Sequence, residues 1–143
     1  MLVSQINPQE AFFLLKENET SFLFDVRTQE EQIFTGFVDP SAINDRLGLL
    51  PLKFFPNMED NPDFAQLLSQ IIENKFGPDN REIKLLFICR SGARSQKAAE
   101  IALSLGFKNC YNVISGFEGD LDENQHRNKL NGWKATNLPW KQS

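Results

Sequence analysis

An α/β domain with a central, mainly parallel β-sheet flanked by helices on both faces is the fold class this sequence predicts. Three observations carry that prediction. Segments with helical apolar spacing alternate with short apolar runs, the order of strands joined by crossover helices. One run, Lys84 to Cys89, is nearly all apolar, as a strand covered on both faces requires. The 143 residues, 41% of them hydrophobic, suffice for a single domain with a proper core.

The elements follow in chain order. Asn7-Pro8-Gln9-Glu10 opens a helix, with a capping amide, proline at the first helical position and an acid in the first turn. Phe12, Leu14 and Leu15 supply its apolar face. Phe22-Leu23-Phe24-Asp25-Val26 reads as a buried strand, Gln29 to Phe34 as a short helix broken by Gly36, and Ser41 to Asn44 as another strand. From Asp45 to Asn61, Gly48, Pro51 and Pro56 interrupt the pattern, which predicts a long excursion, mobile or draped over the core. Asn61-Pro62 then opens a helix with Phe64, Leu67, Leu68, Ile71 and Ile72 on one face, ended by Gly77-Pro78. After the strand at 84–89 come a helix from Ala93 to Leu105, stopped by Gly106, and a strand at 109–114. Residues 118–140 are polar first and then carry Trp133, Leu138 and Trp140, which predicts a terminal helix packed on the sheet.

Composition excludes several classes. Fifteen lysines and arginines against 19 aspartates and glutamates leave a net charge of −4, so neither nucleic acid nor an anionic membrane is an expected partner. No apolar run approaches the ~20 residues of a spanning helix, and residues 1–10 lack the pattern of a secretory signal. Two cysteines, Cys89 and Cys110, make neither a disulfide framework nor a zinc site. The expected address is a reducing cytoplasm, where a thiol stays available.

The chemistry concentrates in Cys89-Arg90-Ser91-Gly92-Ala93-Arg94-Ser95. An apolar strand delivers Cys89 to its carboxyl end, where ligands of open α/β sheets bind. A turn containing Gly92 follows, and the next helix presents free N–H groups and partial positive charge to the sulfur. Arg90 and Arg94 add two permanent positive charges. A thiolate nucleophile, an anion cradle and anion-binding side chains thus fall within six residues. A cysteine phosphatase places five residues between cysteine and arginine; here there are four, a smaller cradle suited to one sulfur atom on the cysteine.

At this point the chain resembles the rhodanese family, whose active loop has the form Cys-Arg-x-Gly-x-Arg. Asp25-Val26-Arg27 with Glu30-Glu31 resembles the family's Asp-Val-Arg-x-x-x-Glu segment. Gly36 and Ala42-Ile43-Asn44 are similar to its Gly-His-Ile-x-Gly-Ala-x-Asn stretch, with Phe37 in place of the histidine. Gly106-Phe107, Gly116-Phe117, Gly132-Trp133-Lys134 and Leu138-Pro139 are similar to its closing pattern. The resemblance spans about residues 4 to 140 and implies one rhodanese-like domain over 1–143. It implies a sulfurtransferase that takes a sulfane sulfur from a small anionic donor such as thiosulfate onto Cys89. The sulfur then passes to cyanide, a thiol or a protein acceptor. Arg90, Ser91, Gly92, Ala93, Arg94 and Ser95 would form the substrate cradle, and no cofactor or metal is implied. The alternatives are a non-catalytic binding or sulfide-sensing module and a phosphatase or arsenate reductase; Ile88, where such phosphatases often carry histidine, opposes the latter.

Other residues have plainer expectations. Asp25 and Arg27 either support the active loop from the neighbouring strand end or form an ion pair organising the fold, with Arg27 and Glu31 also spaced as partners. Cys110 reads as an interior, inert thiol. His126 reads as a surface residue, and Glu118, Asp120, Asp122 and Glu123 as a solvated acidic loop. Trp133, Trp140 and Phe117 read as core anchors, while some of Phe34, Phe37, Phe54 and Phe55 rim the pocket.

Overall fold

Two strands that bury every side chain but one form the centre of the sheet: β2 (Ser21–Asp25) and β7 (Lys84–Ile88). In this computed structural model, which describes residues 2–143, the five-stranded sheet runs β1 (Ser4–Ile6), β8 (Asn109–Val113), β7, β2, β4 (Leu47–Leu49). All four pairings are parallel. Side chains alternate between two faces. Phe22, Phe24, Leu85 and Phe87 pack under α3 (Phe64–Phe76) and α4 (Ala93–Ser104), with Phe24 and Phe87 stacked at 5.5 Å between ring centroids. On the other face Leu23, Leu86 and Ile88 meet Ala11 and Leu15 of α1 (Pro8–Glu17), together with Phe117 and Trp133. Coverage on both faces explains why the central strands read as continuous apolar runs rather than alternating ones.

Capping is written locally. Asn7 and Thr28 each close a capping box, with Glu10 on α1 and Glu31 on α2 (Gln29–Thr35). From β2 the chain moves outward to β4, whereas from β7 it moves through α4 to β8 on the opposite side. The carboxyl ends of β2 and β7 therefore flank the crevice where the strand order reverses, the usual ligand position in such sheets. Asp25 ends one of these strands, and Cys89 directly follows the other.

The structure corrects four expectations. The strand β1 had no predicted counterpart. Residues 41–44 do not form a strand: Pro40–Ile43 is a 3-10 turn, started by the Asp39 carboxylate accepting from the Ser41 N–H at 3.0 Å and closed by Asn44 at φ 53. The excursion at 45–61 is not loosely draped. Its first part is β4, and the Leu50 and Leu52 N–H groups donate to the carbonyls of Asp25 and Val26. The hairpin β5 (Lys53–Phe54) and β6 (Glu59–Asp60) follows. Arg46 anchors the entry by donating to the carbonyls of Leu15, Asn18 and Ser21.

The fourth correction concerns the C-terminal segment, which contains no helix. It runs through turns with Gln125, Asn128 and Asn137 at positive φ and ends as β9 (Trp140–Lys141), antiparallel to β3 (Phe37–Val38). Trp133 is fully buried and donates its Nε1–H to the Pro139 carbonyl, as an anchor should, whereas Trp140 is 38% exposed. Among the described residues no helix is long and apolar enough to cross a membrane.

Candidate active site

Cys89, 1% exposed, sits where β7 stops and the turn to α4 begins. Gly92 has φ +119, a conformation that strains any side chain, and it turns its N–H onto the sulfur at 3.1 Å. The Ser95 N–H approaches the same sulfur at 3.3 Å and the Ser95 hydroxyl oxygen at 3.2 Å. The carbonyls of this turn are occupied from outside. Cys89 accepts from the Phe117 N–H at 2.8 Å, and Arg90 from Glu118 and Gly119. That backbone contact depends on Gly116, because a Cβ there would lie 2.5 Å from the Cys89 carbonyl oxygen. Two converging N–H donors at a helix start are the groups an anionic sulfur needs.

Two ion pairs brace the turn, and neither is the Arg27–Glu31 pair that sequence spacing suggested. Arg27 is fully buried. It binds the Asp25 carboxylate at 2.7 Å, the Thr35 hydroxyl and the Gly36 carbonyl at 2.8 Å, and its guanidinium lies 4.3 Å from the Phe117 ring centroid. This cation ties the end of β2 to the end of α2 and to the loop over the active turn. Glu31 instead receives both Arg94 nitrogens, at 2.7 and 2.8 Å, because its capping position on α2 turns the carboxylate toward the turn. Burial works to raise the Glu31 carboxyl, but the hydrogen bonds from Arg94 and Thr28, with the Arg94 charge, hold it down at about 2. For Arg94, burial opposes the cation, while Glu31, Cys89 and Asp25 all favour it, and the net shift is upward.

The structure thus separates the two arginines. Arg94 is committed to Glu31, whereas Arg90 is exposed and lines an open groove of about 690 Å³. That groove runs between the turn, α2 and residues 118–129, with Glu31, Glu118, His126, Arg127 and Lys129 on its walls. Ser91 is half-buried, and Ala93 is exposed as the first residue of α4. His126 is a surface residue, as expected, but on the wall of this groove. The Asp122 carboxylate is used within its own loop by the N–H groups of Asn124 and His126, and no cluster of metal-ligating side chains occurs among the described residues. Phe34, Phe54 and Phe55 are exposed and Phe37 half-buried.

Sequence reasoning missed Asn112. This buried amide of β8 accepts the Ser95 hydroxyl proton at 2.5 Å. Its signal was available: an amide in an interior strand must find a partner.

Comparison with known proteins gives the family and the fold. The family model of the rhodanese-like domain matches residues 8–123. A Rickettsia prowazekii (strain Madrid E) protein, "Uncharacterized protein RP600", is 38% identical over 140 residues, covering 98% of either chain. The crystal structure of Rv0390 from M. tuberculosis is 34% identical, covers 100% of both chains and superposes with a TM-score of 0.86. The polysulfide-sulfur transferase homodimer from Wolinella succinogenes shares the fold, with a TM-score of 0.60 at 21% identity over 99% of this chain and 80% of that one.

Proposed function

Because the chain belongs to the rhodanese-like domain family, we propose that it is a sulfurtransferase carrying a sulfane sulfur on Cys89. The observation that carries this reading is the convergence of the Gly92 and Ser95 N–H groups on Cys89 Sγ, at the sheet's crevice and beside an open groove. The Cys89 thiolate attacks the outer sulfur of a donor such as thiosulfate. An S–S bond forms to Cys89, the donor's S–S bond breaks, and sulfite leaves with the electron pair. The terminal sulfur then bears the negative charge, which the cradle of backbone N–H groups stabilises.

A nucleophile, cyanide or a thiolate, next attacks that sulfur, and the Cys89 thiolate departs with the S–S electron pair. Arg90 draws the anionic donor into the groove. Arg94 acts at one remove: tied to Glu31, it holds the first turn of α4 against α2. Asp25 and Arg27 support the opposite wall. Ser91 and Ala93 contribute backbone to the cradle. The carrier is a side chain, so the cycle draws on no metal or cofactor, and a reducing cytoplasm keeps it available.

Steady-state transfer from thiosulfate to cyanide tests the reading. Parallel double-reciprocal lines are expected, as a covalent intermediate requires. Hydrolysis of an aryl phosphate, with no thiocyanate formed from either thiosulfate or glutathione persulfide, would replace this reading with phosphate chemistry.

A further inference from the structure

An unbroken line of side chains runs from the active sulfur to the surface. Cys89 Sγ lies 3.2 Å from Ser95 Oγ, which donates to Asn112 Oδ1 at 2.5 Å. The Asn112 Nδ2 donates to Gln5 Oε1 at 2.9 Å, and the Gln5 Nε2 to Gln96 Oε1 at 2.7 Å. Gln96 Nε2 ends the line on Glu100 Oε2 at 3.2 Å. Its geometry is built by the fold: Gln5 and Asn112 are registered partners on β1 and β8, while Ser95, Gln96 and Glu100 all stand on α4.

The line has a direction, and Glu100 sets it. An ionised carboxylate can only accept. Gln96 must therefore turn its NH₂ to Glu100 and its oxygen to Gln5. The same constraint passes through Gln5 to Asn112, whose oxygen takes the single Ser95 hydroxyl proton. Ser95 is left facing Cys89 with lone pairs. A thiol at Cys89 can donate into them, but a thiolate meets no donor there.

We propose that Gln5, Gln96 and Glu100 are positioning residues for Cys89: acting through Asn112, they hold the Ser95 hydroxyl proton away from the sulfur. Once Cys89 carries a second sulfur, the negative charge moves to the outer atom, beyond the Ser95 lone pairs. The chain therefore weights the carrier toward its loaded form over the bare thiolate. The inference rests on Cys89 as the reactive thiol of the proposed function. It needs no sulfur donor to be tested, so failure to transfer sulfur leaves its readout intact. The other charged groups around the sulfur are Arg90 and Arg94 of the turn and α4, Asp25 and Arg27 at the end of β2, and Glu31 of α2. None of them belongs to the chain.

The test is the rate of Cys89 alkylation by iodoacetamide across a pH series, in the full-length reduced protein. Glu100→Gln permits the three amides to turn over together, so that Ser95 donates to the thiolate. Alkylation on the acid side of the profile is expected to rise by about three- to tenfold, the net worth of one hydrogen bond. Gln5→Leu, which releases Asn112, moves the profile the same way. Loss of the Glu100 charge alone would also act through space, but that effect survives Ser95→Ala, whereas the relay does not. In the Ser95→Ala background, Glu100→Gln is therefore expected to keep only the through-space part, well below its effect with Ser95 in place. An unchanged or slower rate in Glu100→Gln, or an effect of the same size without the Ser95 hydroxyl, overturns the proposal. Glu100 is exposed, so its replacement carries the test even if Gln5→Leu fails to fold.

Discussion

Cys89, just past the end of β7, and Cys110, on the neighbouring β8, lie in the same apolar cluster and are 1% and 2% exposed. Burial does not distinguish them; their hydrogen-bond donors do. Cys110 sits at the amino end of β8, opposite Leu85, and its sulfur donates to the Phe107 carbonyl at 3.7 Å, an acceptor. Nothing there offsets desolvation, and burial pushes its thiol up to about 12. Cys89 sits beyond the carboxyl end of β7, where strand gives way to helix and two N–H groups are left free for the sulfur. The comparison teaches that the end of the strand decides what a buried thiol can do. A parallel sheet opens onto helix N-termini at its carboxyl edge.

The strongest way to break the comparison is to exchange the sulfurs for inert groups. Cys89→Ser is expected to reduce thiocyanate formation to the uncatalysed level. Cys110→Ala keeps turnover near that of the unaltered chain and costs roughly 1 kcal/mol in urea unfolding, the effect of a small cavity.

Next in size is Gly116→Ala, which touches neither sulfur. Its Cβ would collide with the carbonyl oxygens of Cys89 and Arg90, at a φ of +63. A loss of about 2–3 kcal/mol is expected, with turnover falling by about tenfold as the cradle shifts. Normal turnover in that variant would show that the 115–119 loop does not set the cradle.

Smaller still is the acid limb of stability. Glu31 titrates near 4.5 when unfolded and about 2 when folded, so its contribution is complete above about 4.5 and is lost as pH falls through about 2. Glu31→Gln is expected to cost about 2 kcal/mol at neutral pH and to flatten stability between those limits, read by urea unfolding at successive pH values. The alkaline end gives a matching test. Cys110 has its folded value raised from 9.0 to about 12, so stability is full below pH 9 and falls as pH rises toward 12. Cys110→Ala removes that part of the alkaline slope.

Much of this contrast was legible in the sequence. The apolar run 84–89 followed by glycine and two arginines pointed to the thiol on which the donors converge, and the capping residue Asn7 stands at the helix start that its chemistry dictates. What stayed hidden depends on contacts distant in sequence. The β4 strand has Gly48 at its centre and no apolar period of its own. The glycine is there because a Cβ would press to 2.8 Å from the Phe22 ring. Spacing alone pairs Arg27 with Glu31, yet the bond Glu31 makes spans 63 residues, to Arg94. Three-residue β1 is too short for any period to show, although it supplies Gln5. The C-terminal segment carries two tryptophans seven residues apart, a helical spacing, yet its fold follows from turns and from one buried indole.

One measurement reaches the centre of the account: mapping where a sulfur atom lands. The native reduced protein is treated with thiosulfate, alkylated to trap persulfide, digested, and its two cysteine peptides are weighed. The account predicts one added sulfur on the Cys89 peptide, removable by cyanide before alkylation, and none on the Cys110 peptide. Sulfur on Cys110, or equal loading of both, would contradict the claim that converging donors rather than burial select the carrier.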